Sequence, residues 1–236
     1  MALIVTKNWD NKTWLSSTNY INSFNKFLIK NIDINSKSKV LDIGCGRGKI
    51  LGSLSKELNL KNKPLGIDII NHKDKDKRIS FKKINAIDFS LKNKQKFDLI
   101  LIKQTIHLMK LYEIKKMLHL LKKKLNPNGK IFIFTLDTRK NEIPTFKKMN
   151  LGLIKSFERD RKILKIITRL YPGRTKKTFV YNVKIQKKKY LEMIENRYIS
   201  TLIPLTKKQL VQGIQEINLK HKNILRFKDK LICIIL

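Results

Sequence analysis

Short apolar runs alternate along this chain with stretches in which apolar side chains recur every three or four residues. The runs cover residues 40–43, 64–70, 79–84, 97–103 and 130–136, and each reads as a strand. The fourth is apolar throughout its middle, as a parallel strand covered on both faces should be. Helical steps appear at Tyr20, Ile21, Phe24, Phe27, Leu28 and Ile32, and again at Ile50, Leu51, Leu54 and Leu58. A third set, Leu111, Ile114, Met117, Leu118, Leu121 and Leu125, stops at Asn126-Pro127-Asn128-Gly129, which reads as a turn before the fifth strand. Strands and helices alternating in this way predict β-α-β units around a parallel sheet.

The last third of the chain differs. Thr206 to Gln209 fits a capping box opening a helix with Leu210, Val211, Ile214 and Ile217 on one face. Residues 223–227 and 231–236 are apolar runs separated by Lys228-Asp229-Lys230, and a tight turn at that triplet predicts an antiparallel hairpin. Residues 137–205 carry a helical pattern (Leu153, Ile154, Phe157, Leu164, Ile167, Leu170) stopped at Pro172-Gly173. Alternation at Phe179, Tyr181 and Val183 follows, then a lysine-rich helix with Tyr190, Leu191 and Ile194.

The chemistry concentrates at Val40-Leu-Asp-Ile-Gly-Cys-Gly-Arg-Gly-Lys-Ile50, a strand running through three glycines into a helix. Glycine suits a turn that takes unusual backbone angles or lies against a ligand, and a helix start offers free N–H groups to it. Gly44, Gly46 and Gly48 are spaced two apart and follow Asp42, unlike the G-x-G-x-x-G of dinucleotide sites. The second apolar run ends in Asp68, twenty residues after Gly48, where a carboxylate accepts hydrogen bonds from both hydroxyls of a ribose.

This D-x-G-x-G-x-G turn, with the later acid, resembles motif I and its partner strand in the class I S-adenosylmethionine (SAM) dependent methyltransferases. The resemblance covers residues 38–136 well and 206–236 moderately. It implies an α/β, Rossmann-like fold with a seven-stranded, mostly parallel sheet, an antiparallel terminal hairpin and an α-rich insertion after strand five. It divides the chain into an N-terminal helical segment and cofactor lid (1–37), a SAM-binding core (38–136 and 206–236) and a substrate cap (137–205). The cofactor residues it implies are Asp42, Gly44, Cys45, Gly46, Gly48, Asp68 and Ile69. Asn85 and Ala86 are implied at the adenine, with Asp88 the competing candidate for that contact. Lys103 falls at the strand-four end beside the reacting methyl, and Tyr20 in the lid. Trp14, Ser17 and Tyr20 stand where aromatic and polar groups before the leading helix line the pocket. His107 is the candidate base, as the histidine at that strand end. Arg159, Arg161, Arg174 and Arg197 lie in the insertion, and Arg174 and Arg197 are the candidates for an anionic substrate.

Composition changes the picture in one respect. There are 53 basic and 18 acidic residues, a net charge of +35, which attracts polyanions. Nine of the basic residues are arginine, so 44 are lysine, the poorer residue for bidentate recognition of phosphates or bases. Residues 137–205 hold 18 basic and 6 acidic residues, so the charge is spread and not gathered there. A small-molecule acceptor is the leading expectation, an RNA acceptor the rival, and a SAM-binding protein without catalysis the third. The strand-four end lacks the N/D-P-P-Y/F motif of base amino-methyltransferases, and neither Cys45 nor Cys233 sits where a cytosine C5 enzyme needs its nucleophile. The two cysteines and four histidines form no metal-ligand spacing, so no metal is expected. No signal peptide or membrane-spanning run is read, and a cytoplasmic protein is expected.

Overall fold

The computed structural model describes residues 13–139 and 142–236. Trp14–Ser16 form a 3-10 turn, and Ser17 caps helix α1 (Thr18–Asn31) by accepting from the Tyr20 N–H. Five parallel strands follow: β1 (Val40–Ile43), β2 (Leu65–Asp68), β3 (Ser80–Lys83), β4 (Phe97–Lys103) and β5 (Leu125–Leu136). Helices α2 (Lys49–Glu57), α3 (Ala86–Lys92) and α4 (Leu111–Lys122) connect them. The chain continues as α5 (Lys147–Leu170), β6 (Thr175–Gln186), α6 (Lys187–Glu195), α7 (Lys207–Lys220) and β7 (Ile224–Ile235). The strand order is β3-β2-β1-β4-β5-β7-β6, with β7 and β6 antiparallel to their neighbours. This is the seven-stranded, mostly parallel Rossmann-like sheet that the alternating pattern predicts.

The two-residue period of the strands sorts their side chains into two cores. Val40, Leu99, Leu101, Phe132, Phe134, Leu231 and Cys233 face α1, α2, α6 and α7. Leu41, Ile43, Ile100, Ile102, Ile131, Ile133, Ile232 and Ile234 face α3, α4 and the second half of α5. Each fully buried aliphatic or Phe side chain contributes about 1.5–3 kcal/mol, so the β1-β4-β5 centre is held firmly from both faces. Helix α5 contributes Met149 and Leu153 to the first core and Ile163 and Ile167 to the second. It therefore passes from one layer to the other, beside the carboxyl ends of the strands.

Two expectations are corrected. Residues 224–235 form one continuous strand, and Lys228-Asp229-Lys230 pairs with Asn182, Tyr181 and Val180 in place of turning. The reason is side-chain alternation: Leu225, Phe227, Asp229, Leu231 and Cys233 lie on one face, and the two lysines project from the other. The antiparallel partner of the last strand is β6, so part of the 137–205 segment is sheet. Residues 126–129 are likewise a bulged start to β5 and not a separate turn, with Asn128 at φ 66° and a register shift against Phe97 and Leu99.

Candidate functional site

Strand β1 lies between β2 and β4, so its flanking connections leave in opposite directions, the switch point at which open sheets of this kind form a crevice beyond the carboxyl ends. In such sheets this is where ligands bind. The glycine turn forms one wall. Gly44 has φ 71°, and a Cβ there would lie 2.2 Å from the Thr105 hydroxyl oxygen. Gly46 has φ 54°, yet a Cβ there would meet nothing within 4 Å, so its face opens onto free space.

The expected free N–H groups are mostly spent. Gly44 and Cys45 donate to the Ile67 carbonyl, Gly46 to Asp68 Oδ2 at 2.8 Å, and Gly48 to the Cys45 carbonyl. The turn thus offers a ligand close backbone approach more than a ring of donors. Asp68 also accepts from the Ile70 N–H through Oδ1 at 3.0 Å, and each oxygen keeps a second lone pair. Ile69 beside it is 44% exposed, an apolar platform at the crevice edge. The Cys45 sulfur packs on Gly66, and burial, with Asp42 and Asp68 nearby, pushes its thiol pKa up, so it is inert. Asn85 caps α3: its Oδ1 accepts from the Asp88 N–H, and its Nδ2 donates to the Asp88 carboxylate. The oxygen expected to meet an adenine amino group thus already accepts one hydrogen bond and keeps a second lone pair, and Ala86 is the first residue of the helix behind it.

Asp42, Lys103 and Asp229 share the first face of the sheet at its carboxyl end. Lys103 interacts electrostatically with both acids, and its Nζ lies 5.2 Å from the Tyr20 ring centroid and 5.4 Å from that of Phe24. Gln104, the next residue, has φ 53°, a left-handed conformation costing about 1–2 kcal/mol in a non-glycine residue. Tyr20 is fully buried against Phe24, Phe179 and Tyr181. Trp14 is also buried: its indole N–H donates to Asp229 Oδ2 at 2.9 Å, and its ring packs on Tyr190, Tyr198 and Phe227. It thus ties the N-terminal turn to β7 and is not an open pocket wall. The rest of the expected lid, residues 1–12, lies outside the described residues.

Burial raises the Asp42 pKa to about 7, Lys103 opposes the shift, and Asp68 adds to it. An unfolded carboxyl titrates near 3.9, so the folded state holds the extra proton between about pH 4 and pH 7. This contribution to stability is complete below about pH 4 and is lost as pH rises through about 7. Asp42→Asn should therefore gain stability relative to the native chain across that window, which denaturant titrations at several pH values would detect. A difference independent of pH would contradict it.

On the second face, His107 stands beside α5. Burial and the nearby Arg159 lower its pKa to about 4. A neutral imidazole of such low basicity is a poor proton acceptor at neutral pH. His107→Ala is accordingly expected to lower kcat less than about tenfold and to leave no limb near pH 6.5, against the roughly 10²–10⁴-fold loss for a true general base. Steady-state rates against pH would decide it. Arg159 donates to the Met109 carbonyl at 2.5 Å.

The two arginines expected to meet an anionic substrate both donate to backbone carbonyls. Arg174 precedes Thr175, which pairs with Ile235 at the opposite end of the sheet, and it donates to the Pro172 carbonyl. Arg197 binds the Leu202 and Ile203 carbonyls. Sequence reasoning missed Asp229 and Asp160. Asp160 accepts from the Thr135 hydroxyl at 3.0 Å, and burial raises its pKa against the opposing pull of Thr135 and Arg159. The signal for it was present, because Asp160 lies three residues after Phe157 and four before Leu164, on the apolar stripe of α5. Among the described residues no group of His, Cys, Asp or Glu is arranged to hold a metal, and no helix is long and apolar enough to cross a membrane.

A family model described as a methyltransferase domain matches residues 34–197. No curated protein matches the chain. Among solved structures, the plantazolicin methyltransferase BpumL, in complex with a triazolic desmethylPZN analog and SAH, is 19% identical with a TM-score of 0.55. That match covers 97% of this chain and 88% of that one. A SAM-dependent methyltransferase from Thiobacillus denitrificans, in complex with S-adenosyl-L-homocysteine, is 12% identical with a TM-score of 0.57, covering 98% and 96%. A putative methyltransferase from an antibiotic biosynthesis pathway of Anabaena variabilis is 12% identical with a TM-score of 0.58, covering 89% and 95%. At these identities the likeness is one of fold.

Proposed function

The chain belongs to the methyltransferase domain family, and from that premise we propose that it uses SAM to methylate a small molecule held between the strand ends and helix α5. The crevice suits that cofactor. Gly46 leaves its face open, Asp68 retains lone pairs for a ribose, and Ile69 offers an apolar surface to a base. A turn whose amides are largely engaged suits a nucleoside without phosphates better than a dinucleotide. When bound, SAM supplies an electrophilic sulfonium methyl and leaves as S-adenosylhomocysteine. The protein's own work is positioning and exclusion of water, since effective molarity supplies much of the barrier reduction for such displacements.

The observation that supports the small-molecule reading is the packing around the strand ends. Helix α5 contributes to both cores there, and Trp14 packs on Tyr190, Tyr198 and Phe227 on the β7 side. Tyr190 donates to the Pro144 carbonyl at 2.6 Å and meets the Tyr198 hydroxyl at 2.9 Å, which fixes that packing. Among the described residues, Asp42, Asp68 and Asp229 stand with Lys103 at the strand ends on the first face, a set that does not favour a polyanion there. Asp68→Ala is expected to weaken S-adenosylhomocysteine binding by about 1–3 kcal/mol, because charge-assisted hydrogen bonds are lost and the turn loses its tether to Gly46. Unchanged affinity by titration calorimetry would overturn the cofactor site.

A further inference from the structure

Helix α6 carries its charges in an unexpected order. Lys187, Lys188 and Lys189 fill its first turn, and Glu192 and Glu195 stand toward its end, with no acid in the first turn and no base in the last. The helix dipole favours the reverse. The whole chain has seven glutamates, and two of them sit three residues apart on this helix, a spacing at which like charges repel. Lys188, Glu192 and Glu195 are all exposed, and among the described residues none of them is in an ion pair. Lysine one turn before glutamate is also the weaker order for a pair within a helix.

These three side chains border an open groove of about 620 Å³ between α6, α7 and the start of β7. Leu191, Ile214 and Ile224 are its apolar lining, and Ile224 is 48% exposed. Val211, 47% exposed, stands one turn before Ile214 on α7 and extends the apolar stripe. The groove is held from behind. Lys187 Nζ donates to the Asn218 carbonyl at 3.0 Å and to the His221 carbonyl at 2.9 Å, which joins α6 to the end of α7. The opposite face of α6 buries Tyr190, Met193 and Ile194 in the first core.

The order of charges selects the occupant. A uniformly acidic segment would meet Glu192 and Glu195, and a uniformly basic one would meet Lys188. A helix with the same charges running the other way satisfies both ends, and a second copy of α6 related by a two-fold axis is such a helix. Lys188, Leu191, Glu192 and Glu195 stand at steps of three and four residues, on one face. Lys188 and Glu195 are equidistant from the midpoint between Leu191 and Glu192. An antiparallel pair centred there sets Lys188 of each copy against Glu195 of the partner subunit, with the leucines near the axis. We propose that two copies of this chain associate through α6 and the groove beside it, with the two α6 helices antiparallel. This goes beyond the methyltransferase reading and does not depend on it.

The test is the mass of the full chain by sedimentation equilibrium at about 0.15 M salt. The Debye length there is about 8 Å, so the +35 charge of each copy is screened beyond the contact while touching pairs are not. A dimer is expected. Lys188→Glu makes this face of α6 wholly acidic, and Glu192→Lys with Glu195→Lys makes it wholly basic. Each change enters a two-fold interface twice and should raise the dimer dissociation constant about tenfold or more. An equimolar mixture of the two variants should restore a dimer containing one copy of each, which only folded chains with facing α6 helices can do. Leu191→Cys, beside the axis, should form a disulfide-linked dimer on mild oxidation, whereas Leu91→Cys, 55% exposed on α3, should not. A native chain that stays monomeric at about 0.1 mM overturns the proposal. So does a dimer indifferent to both charge variants, a variant mixture that remains monomeric, or equal cross-linking at the two cysteine positions.

Discussion

Gly44→Ala should lower the stability of the fold by about 2–5 kcal/mol, while Gly46→Ala should cost only about 1–2 kcal/mol and remove cofactor binding. Both glycines have positive φ, so each variant carries the left-handed strain of an L-residue. At Gly44 the added methyl also enters Thr105, whose Oγ1, Cγ2 and Cβ would all lie within 3 Å of it. Thr105 follows the strained Gln104 and has little freedom to retreat. At Gly46 the methyl enters open space on the crevice side, which is the space a ligand needs. Chemical denaturation read beside S-adenosylhomocysteine titration separates the two. Equal stability losses would mean that the crevice face of the turn is wrongly assigned, as would retained binding in Gly46→Ala.

Trp14→Ala should cost about 3–5 kcal/mol from lost burial alone. The indole also satisfies Asp229, so its removal leaves a carboxylate at 1% exposure without its hydrogen bond. An abandoned buried polar group adds about 1–3 kcal/mol. Trp14→Phe isolates that second part, since the ring is kept and the N–H is lost. The alanine variant should therefore unfold at much lower denaturant than the phenylalanine variant, and both below the native chain. Equal midpoints for the native chain and Trp14→Phe would show that the Asp229 bond contributes nothing to the fold.

The parallel half of the sheet was legible because its strands are short and apolar and its helices periodic. Phe97–Lys103 and the helix beginning at Leu111 announce themselves. The glycine turn was legible because residue identity there follows from backbone angle. What stayed hidden lies where a polar residue interrupts an apolar pattern for a reason only tertiary structure supplies. Asp229 sits on the inner face of β7, and between two lysines it imitates a turn. Its true context is Tyr181 across the strand pair and Trp14 215 residues away in sequence. Asp160 hides in the same way on the inner stripe of α5. Arg174 and Arg197 misled in the opposite direction. Arginine reads as an anion ligand in sequence, yet these two are spent on backbone carbonyls. His107 was correctly placed at the end of β4, but sequence cannot show the burial and the Arg159 charge that lower its basicity.

The most direct test of the central claim is transfer of labelled methyl from SAM by the purified chain into a cell extract, separated afterwards into small-molecule, RNA and protein fractions. Label is expected in the small-molecule fraction, insensitive to nuclease and lost in Asp68→Ala. Label confined to RNA, with activity falling steeply as salt rises, would contradict the account and make the lysine coat the binding surface. Retention of SAM with no labelled acceptor in any fraction would contradict it as well, leaving a protein that binds SAM without transferring its methyl group.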